Sequence, residues 1–152
     1  MSIILRDAER WPMAFDWFGE IPALEIEEWL DRNRLTLPQD LIELWQVTGG
    51  GDVFESETIL RPTVPSLPCS NFVDDAIESF NPDHGAGSRE GLYIFQRGAF
   101  ISAIRLHDQR FVTLGENGST HDQFSSLDEW YILTLRAEFG TRFGLDPILR
   151  GR

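Results

Sequence analysis

Residues 37–51 read LPQDLIELWQVTGGG, and in them a helix start, a helical face and a stop signal follow one another. Pro38 suits the first turn of a helix, because its fixed φ is already helical and an N–H is not needed there. Leu41, Leu44 and Trp45 then recur at the spacing of one helical face. Three glycines end the pattern, since glycine adopts the left-handed conformation that closes many helices. The stretch therefore predicts a helix that begins at Pro38 and stops at the glycines.

The segments before this helix also carry helical patterns. Residues 23–32 place Ile26, Trp29 and Leu30 on one side, which predicts a second helix. The first twenty residues are rich in aromatic side chains, and a short helix is predicted to begin near Pro12. The N-terminal part of the chain is thus predicted to be helical.

Beyond the glycines the pattern changes. Residues 53–60 are predicted to be extended, and three prolines then mark an irregular crossing: Pro62, Pro65 and Pro68. A short helix is predicted over 74–80, followed by a loop over 81–91 that contains proline and several glycines.

A β meander is predicted next. Its three strands are 92–96, 99–106 and 110–114, with short turns between them. In the middle strand Phe100, Ser102, Ile104 and Leu106 share one face, and the other face also carries apolar side chains. An apolar pattern on both faces is typical of a strand that is covered on both sides.

The last helix has the firmest local signature. Ser126 and Glu129 form a capping-box pattern, in which each residue satisfies a free backbone N–H at the helix start. Apolar residues then follow at helical spacing: Leu127, Trp130, Tyr131, Leu135 and Phe139. Gly140 is predicted to end this helix.

A chain of 152 residues fits one average domain and can bury a core without metals or disulfides. The order of elements predicts a single α+β domain over 1–152. We expect N-terminal helices, a central and mainly antiparallel sheet, and a C-terminal helix packed on that sheet.

The chain is strongly acidic, with a formal net charge of −12. This charge argues against binding to nucleic acid or to an anionic membrane surface, because both require a positive surface on the protein. Residues 1–76 hold 5 arginines and 15 acidic residues, whereas 77–152 hold 8 and 10. Any acidic face should therefore draw mainly on the N-terminal half.

Location and redox context are predicted from what the sequence does not contain. The apolar run near the start is too short for the core of a signal peptide, and no apolar stretch is long enough to span a bilayer. One cysteine, Cys69, cannot form an internal disulfide. We expect a cytoplasmic protein.

No motif for catalysis or for a cofactor stands out. The chain has no lysine and no Gly-x-Ser-x-Gly sequence, which argues against lysine chemistry and a serine nucleophile. The glycine runs do not lie between a strand and a helix, as a phosphate loop would. Three imidazole–carboxylate pairs lack the close His-to-His spacing of a metal site and fall in predicted turns: Asp83-His84, His107-Asp108 and His121-Asp122. We therefore expect that the protein is not an enzyme and that it binds neither a metal nor a cofactor.

The order of these segments resembles the SUKH superfamily, which includes the Smi/Knr-type cell-wall regulators. The resemblance is carried by EEWL at 27–30, LPQDLIELW at 37–45, the glycines at 49–51, GLYIF at 91–95 and FSSLDEWY at 124–131. It implies a non-enzymatic function without catalytic residues. Most bacterial members are similar to immunity proteins that bind and neutralise toxins, many of them nucleases or deaminases. The alternative that the family implies is a regulatory scaffold without a toxin partner.

Two groups of residues follow from these arguments. Residues expected to serve the fold are Leu37, Pro38, Gly49, Gly50, Ser126, Glu129 and Trp130. A protein partner with a basic surface, such as a bacterial toxin, is expected to meet acidic clusters and nearby aromatic side chains. These partner-binding candidates are Glu25, Glu27, Glu28, Asp31, Asp52, Glu55, Glu57, Asp74, Asp75, Glu78, Trp11, Trp17 and Phe18.

Overall fold

The computed structural model describes residues 2–62, 64–66, 91–115 and 119–147. Helices in the first half are α1 (Ile3–Arg10), a 3-10 turn (Pro12–Ala14), α2 (Ala23–Asn33) and α3 (Gln39–Thr48). The strands are β1 (Phe15–Trp17), β2 (Gly51–Val53), β3 (Glu57–Ile59), β4 (Leu92–Arg97), β5 (Ile101–Arg105), β6 (Arg110–Leu114) and β7 (Thr120–Phe124). The C-terminal helix consists of α4 (Leu127–Tyr131), a π-helical turn (Ile132–Arg136), α5 (Ala137–Phe139) and a 3-10 turn (Gly140–Phe143).

The strands form one antiparallel sheet in the order β1 to β7, and the predicted α+β fold with a meander and a C-terminal helix is confirmed. In such a sheet consecutive turns alternate between its two ends. The β2–β3 turn (54–56) and the β4–β5 turn (98–100) therefore lie together at one end, here called the hairpin end. The β5–β6 turn (106–109) lies at the other end.

Helices α2 and α3 are tied to that other end, here called the helix end. The side chain of Gln109 donates a hydrogen bond of 2.9 Å to the carbonyl of Thr36, in the loop that joins the two helices. The carboxylate of Asp40 accepts one of 2.7 Å from the backbone N–H of Leu127. These contacts place the start of α3 beside the start of the C-terminal helix.

Aromatic side chains attach the helices to the sheet. Trp29 of α2, Trp45 of α3 and Tyr93 of β4 form a mutual edge-to-face cluster, with ring centroids 5.7 to 6.2 Å apart. The ring centroids of Trp130 and Phe95 are 4.8 Å apart. Edge-to-face contacts add about 0.5–1.5 kcal/mol per pair beyond area burial, so these rings are a main source of stability.

The 37–51 stretch folds as a helix, with two refinements of the prediction. Pro38 is the N-cap residue rather than the first helical residue, with φ −59° and ψ 141°. Gly49 is the C-cap and takes the left-handed conformation, with φ 74°. Leu37 is buried beside the helix start.

The prediction of one extended segment over 53–60 is wrong, because the chain reverses direction within these residues. Phe54 and Glu55 have φ of 52° and 65°, and these left-handed residues form the turn between β2 and β3. Neither residue type favours that conformation, so the sequence carries no turn signal here. The predictions over 67–90, including the helix at 74–80, lie outside the described residues.

The C-terminal helix continues past its predicted end. Gly140 is helical, and the left-handed residue that ends the helical path is Gly144, with φ 85°. Ser126 Oγ accepts a hydrogen bond of 3.1 Å from the Glu129 N–H, as in a capping box. The Glu129 carboxylate, however, accepts from the N–H of Ser125 rather than from that of Ser126.

The middle strand of the meander is covered on both faces, as its pattern predicted. Ser102, Ala103 and Ile104 are successive residues of β5 and are all fully buried. Because successive side chains of a strand point to opposite faces, neither face of β5 is open to water.

Candidate protein-binding surface

Helix α2 presents one acidic face. Leu24, Glu27, Glu28 and Asp31 are all exposed, and their spacing places them on one side of the helix. The opposite side carries the buried Ile26 and Trp29 and packs on the core. This face is an ordinary solvated helix surface in composition, apart from its single exposed leucine.

Glu25 is oriented differently from the other acids of α2. Its carboxylate accepts a hydrogen bond of 2.7 Å from the backbone N–H of Ser66 and a second one from the Ser66 hydroxyl. Glu25 therefore fastens the chain at Ser66 to α2, and its acceptor capacity is partly used within the protein.

A second acidic cluster lies on the strands β1 and β2. Asp16 and Asp52 are directly opposite each other in the register of these two strands. Thr58 on the next strand donates a hydrogen bond of 2.9 Å to Asp52. Glu55 is exposed in the turn that follows β2. Asp16 was not predicted as a site residue, because β1 is only three residues long and its pairing with β2 is visible only in three dimensions.

Among the described residues, the acids of both clusters have no counter-ion within the protein. None of Asp16, Asp52, Glu55, Glu27, Glu28 and Asp31 takes part in an ion pair with another described residue. Asp31 lies in the last turn of α2, towards the helix end, whereas Glu55 lies at the hairpin end. The structure thus separates the predicted acids of α2 from the predicted Asp52 and Glu55. Asp74, Asp75 and Glu78 lie outside the described residues.

The prediction that Glu57 binds a partner has to be corrected. Glu57 is fully buried and cannot contact a partner. Its carboxylate accepts hydrogen bonds from the Ser56 hydroxyl, the Gln96 side-chain amide and the Ala99 backbone N–H, at 2.9 to 3.1 Å. The network continues through Ser102, which donates to Gln96 and accepts from Trp130. Glu57 therefore joins the β2–β3 turn to the β4–β5 turn at the hairpin end.

Replacing Glu57 by Gln should lower the free energy of unfolding by about 1–3 kcal/mol, because the new amide nitrogen meets the donors of Gln96 or Ala99 and leaves one unsatisfied. Urea denaturation followed by tryptophan fluorescence measures this. Glu55→Gln is the matched control, and as an exposed residue it should change stability by less than about 0.5 kcal/mol. Equal effects of the two variants would refute the assigned role of Glu57.

The three aromatic candidates do not form one patch with each other. Trp11 is half-buried, with the guanidinium carbons of Arg10 and Arg136 at 4.6 and 5.8 Å from its ring. The ring centroids of Trp17 and Phe15, both on β1, are 5.4 Å apart. Phe18 is half-buried and lies 5.0 Å from the guanidinium of Arg61. Trp17 and Phe18 adjoin Asp16 along the chain, whereas Trp11 packs with arginines near the C-terminal helix.

A buried ion pair was missed by sequence reasoning. Asp7 of α1 and Arg136 of the C-terminal helix are 3% and 8% exposed, and Arg136 Nε lies 2.6 Å from Asp7 Oδ2. The Tyr131 hydroxyl donates a 2.6 Å hydrogen bond to the same oxygen. Burial, and then the contact with Asp7, raises the pKa of Tyr131, so this hydroxyl stays protonated. The only sequence signal would have been a charged residue among the apolar positions of each helix.

Within the described ranges, no three side chains among His, Cys, Asp and Glu are grouped closely enough to hold a metal ion. Among the same residues, no helix combines the length and apolar character that crossing a bilayer would require.

Comparisons with protein-family models and with curated proteins find no match to this sequence. The SUKH resemblance therefore stays a prediction.

Proposed function

We propose that this chain is an immunity protein, which binds a bacterial toxin with a basic surface and neutralises it by covering that surface. The observation that carries the proposal is the cross-strand pair of Asp16 and Asp52, with Glu55 close by in the chain and without an internal counter-ion among the described residues. Like charges directly opposite each other in a sheet destabilise the free protein. Basic residues of a partner would remove that repulsion on binding.

Charge complementarity of this kind favours rapid association. A nuclease toxin needs a positive surface for its substrate, and an acidic inhibitor is attracted to that surface over a distance comparable to the Debye length. Phe18, which is half-buried and two residues from Asp16, supplies a large apolar side chain of the kind that interface centres commonly contain. In this role the protein would act in the cytoplasm of the cell that it protects.

The proposal is tested with the product of a toxin-like gene that neighbours the gene for this chain. We expect that product alone to arrest growth when expressed in a bacterial host, and co-expression of this chain to restore growth. The purified proteins should form a complex on size-exclusion chromatography. Growth arrest that persists despite folded, abundant chain, with no complex formed, would refute the immunity role.

Two matched triple variants test which acidic cluster meets the toxin. Asp16→Asn with Asp52→Asn and Glu55→Gln should slow association about tenfold at low salt and flatten its dependence on ionic strength. Glu27→Gln with Glu28→Gln and Asp31→Asn removes the same charge from α2 and should change the rate by less than about twofold. Stopped-flow association at several salt concentrations measures both.

The opposite order of effects would assign the interface to α2 instead. A wild-type association rate that does not respond to salt would exclude electrostatic attraction as the driving force, even if the toxin were still neutralised.

A further inference from the structure

A groove of about 350 Å³ opens at the hairpin end, between the sheet and the C-terminal helix. Its apolar wall includes Phe100, Leu114 and Leu133, and its polar side includes His121, Asp122 and Glu138. Asp122 and Glu138 are exposed, so their carboxylates stand at the mouth of the groove. None of the described lining residues is an arginine, and the groove therefore combines an apolar interior with negative charge at the opening.

Two backbone irregularities meet at this groove. The pairing of β6 with β7 shifts where Thr113 faces Asp122 and Leu114 faces Thr120, which leaves His121 as the extra residue of a β-bulge. Across the groove, Leu133 belongs to the π-helical turn of the C-terminal helix. Bulges redirect side chains and often lie next to binding sites, and short π-helical turns frequently occur at functional sites.

We propose that this groove receives an arginine side chain of the partner protein, an inference that rests on the proposed toxin-binding function. An arginine matches each part of the lining. Its apolar stem can cover Leu114 and Leu133, and its planar guanidinium can lie against the Phe100 ring while it donates to the carboxylates of Asp122 and Glu138. Arginine is also among the residues that most often dominate interface energies.

The groove and the Asp16–Asp52 pair lie on opposite faces of the sheet, because the register places Thr113 and Asp122 on the face that Trp130 contacts and Asp16 and Asp52 on the other. Ala99 lines the groove, and its backbone N–H is bound by the buried carboxylate of Glu57. The same carboxylate accepts from the hydroxyl of Ser56, which is the neighbour of Glu55 in the β2–β3 turn. Glu57 thus connects the β2–β3 turn, which carries Glu55, to the β4–β5 turn, which borders the groove. A partner that covers the hairpin end can therefore place one arginine in the groove and a further basic residue near Glu55 in the β2–β3 turn.

The inference is tested on the full-length chain with short peptides, so that no toxin is needed. The probe is acetyl-Gly-Arg-Gly-amide, and its neutral counterpart carries citrulline in place of arginine. NMR titration should show saturable shifts at Phe100, at the Leu133 methyl groups and at the His121 ring. We expect the arginine peptide to bind about tenfold more tightly than the citrulline peptide, which lacks the charge-assisted hydrogen bonds.

Asp122→Asn combined with Glu138→Gln should weaken arginine-peptide binding about tenfold. The control is Glu43→Gln, which removes an exposed acid of α3 and should leave binding unchanged. Unchanged melting temperatures show that all variants are folded, which the exposure of these side chains leads us to expect. Equal binding of the citrulline peptide or of acetyl-Gly-Lys-Gly-amide, or shifts that do not map to the groove, would overturn the proposal.

The outcomes also separate the two proposals. If the arginine peptide binds in the groove while the chain fails to neutralise the toxin, the groove assignment stands and the immunity role falls. If neutralisation is observed and the peptide shifts no groove residue, the immunity role stands and the arginine site is refuted.

Discussion

Replacing Asp7 by Ala should lower the free energy of unfolding by about 3–5 kcal/mol, the largest effect that we expect from a single change. The substitution leaves the guanidinium of Arg136 buried at 8% exposure without its carboxylate partner. It also removes the acceptor of the buried Tyr131 hydroxyl. Removal of one member of a buried ion pair is far more damaging than loss of the pair itself, because the remaining charge keeps its desolvation penalty. Chemical denaturation of the variant and of the wild type measures the difference.

Two further variants separate this explanation from a general effect on α1. Asp7→Ala combined with Arg136→Met removes both charges and should recover much of the lost stability. Arg10→Ala breaks the exposed pair of Arg10 with Asp146 and should change stability by about 0–1 kcal/mol. A double variant as unstable as Asp7→Ala alone would show that the penalty does not come from an uncompensated charge.

Replacing Gly50 by Val should lower the free energy of unfolding by about 2–5 kcal/mol, from left-handed strain and overpacking together. Gly50 has φ 82°, and a Cβ there would lie 2.6 Å from the carbonyl oxygen of Ile59. The neighbouring backbone belongs to β3, so it cannot move aside as a flexible side chain would. Thermal and urea denaturation of the variant provide the measurement.

Gly144→Val is the control that isolates the conformational part of this effect. Gly144 has a similar φ of 85°, but a Cβ there would meet nothing within 4 Å. It should therefore destabilise by only about 1–2 kcal/mol. Toxin affinity measured on the folded fraction of the Gly50 variant should stay close to that of the wild type. A collapse of affinity at unchanged stability would instead assign Gly50 to the interface.

The acidic surface was only partly predictable from the sequence. The excess of acid in the N-terminal half and the exposed face of α2 follow from composition and from helical spacing. The burial of Glu57 could not be predicted, because the residues that satisfy its carboxylate, Gln96 and Ala99, lie about forty positions along the chain. The position of Asp16 directly opposite Asp52 could not be predicted either, because both α2 and α3 separate these two residues in the sequence.

By itself the sequence determined the elements whose signals are local. Pro38, the apolar spacing at Leu41 to Trp45 and the glycines specify α3, and Ser126 specifies the start of the C-terminal helix, because caps and helical faces involve residues within a few turns of each other. Tertiary structure alone decided β1 and β7, the β2–β3 turn and the Asp7–Arg136 pair. Strands of only three to five residues are stable only when a neighbouring strand supplies their hydrogen bonds, and β7 also lacks an alternating pattern. A buried charge likewise requires a partner that folding brings from the far end of the chain.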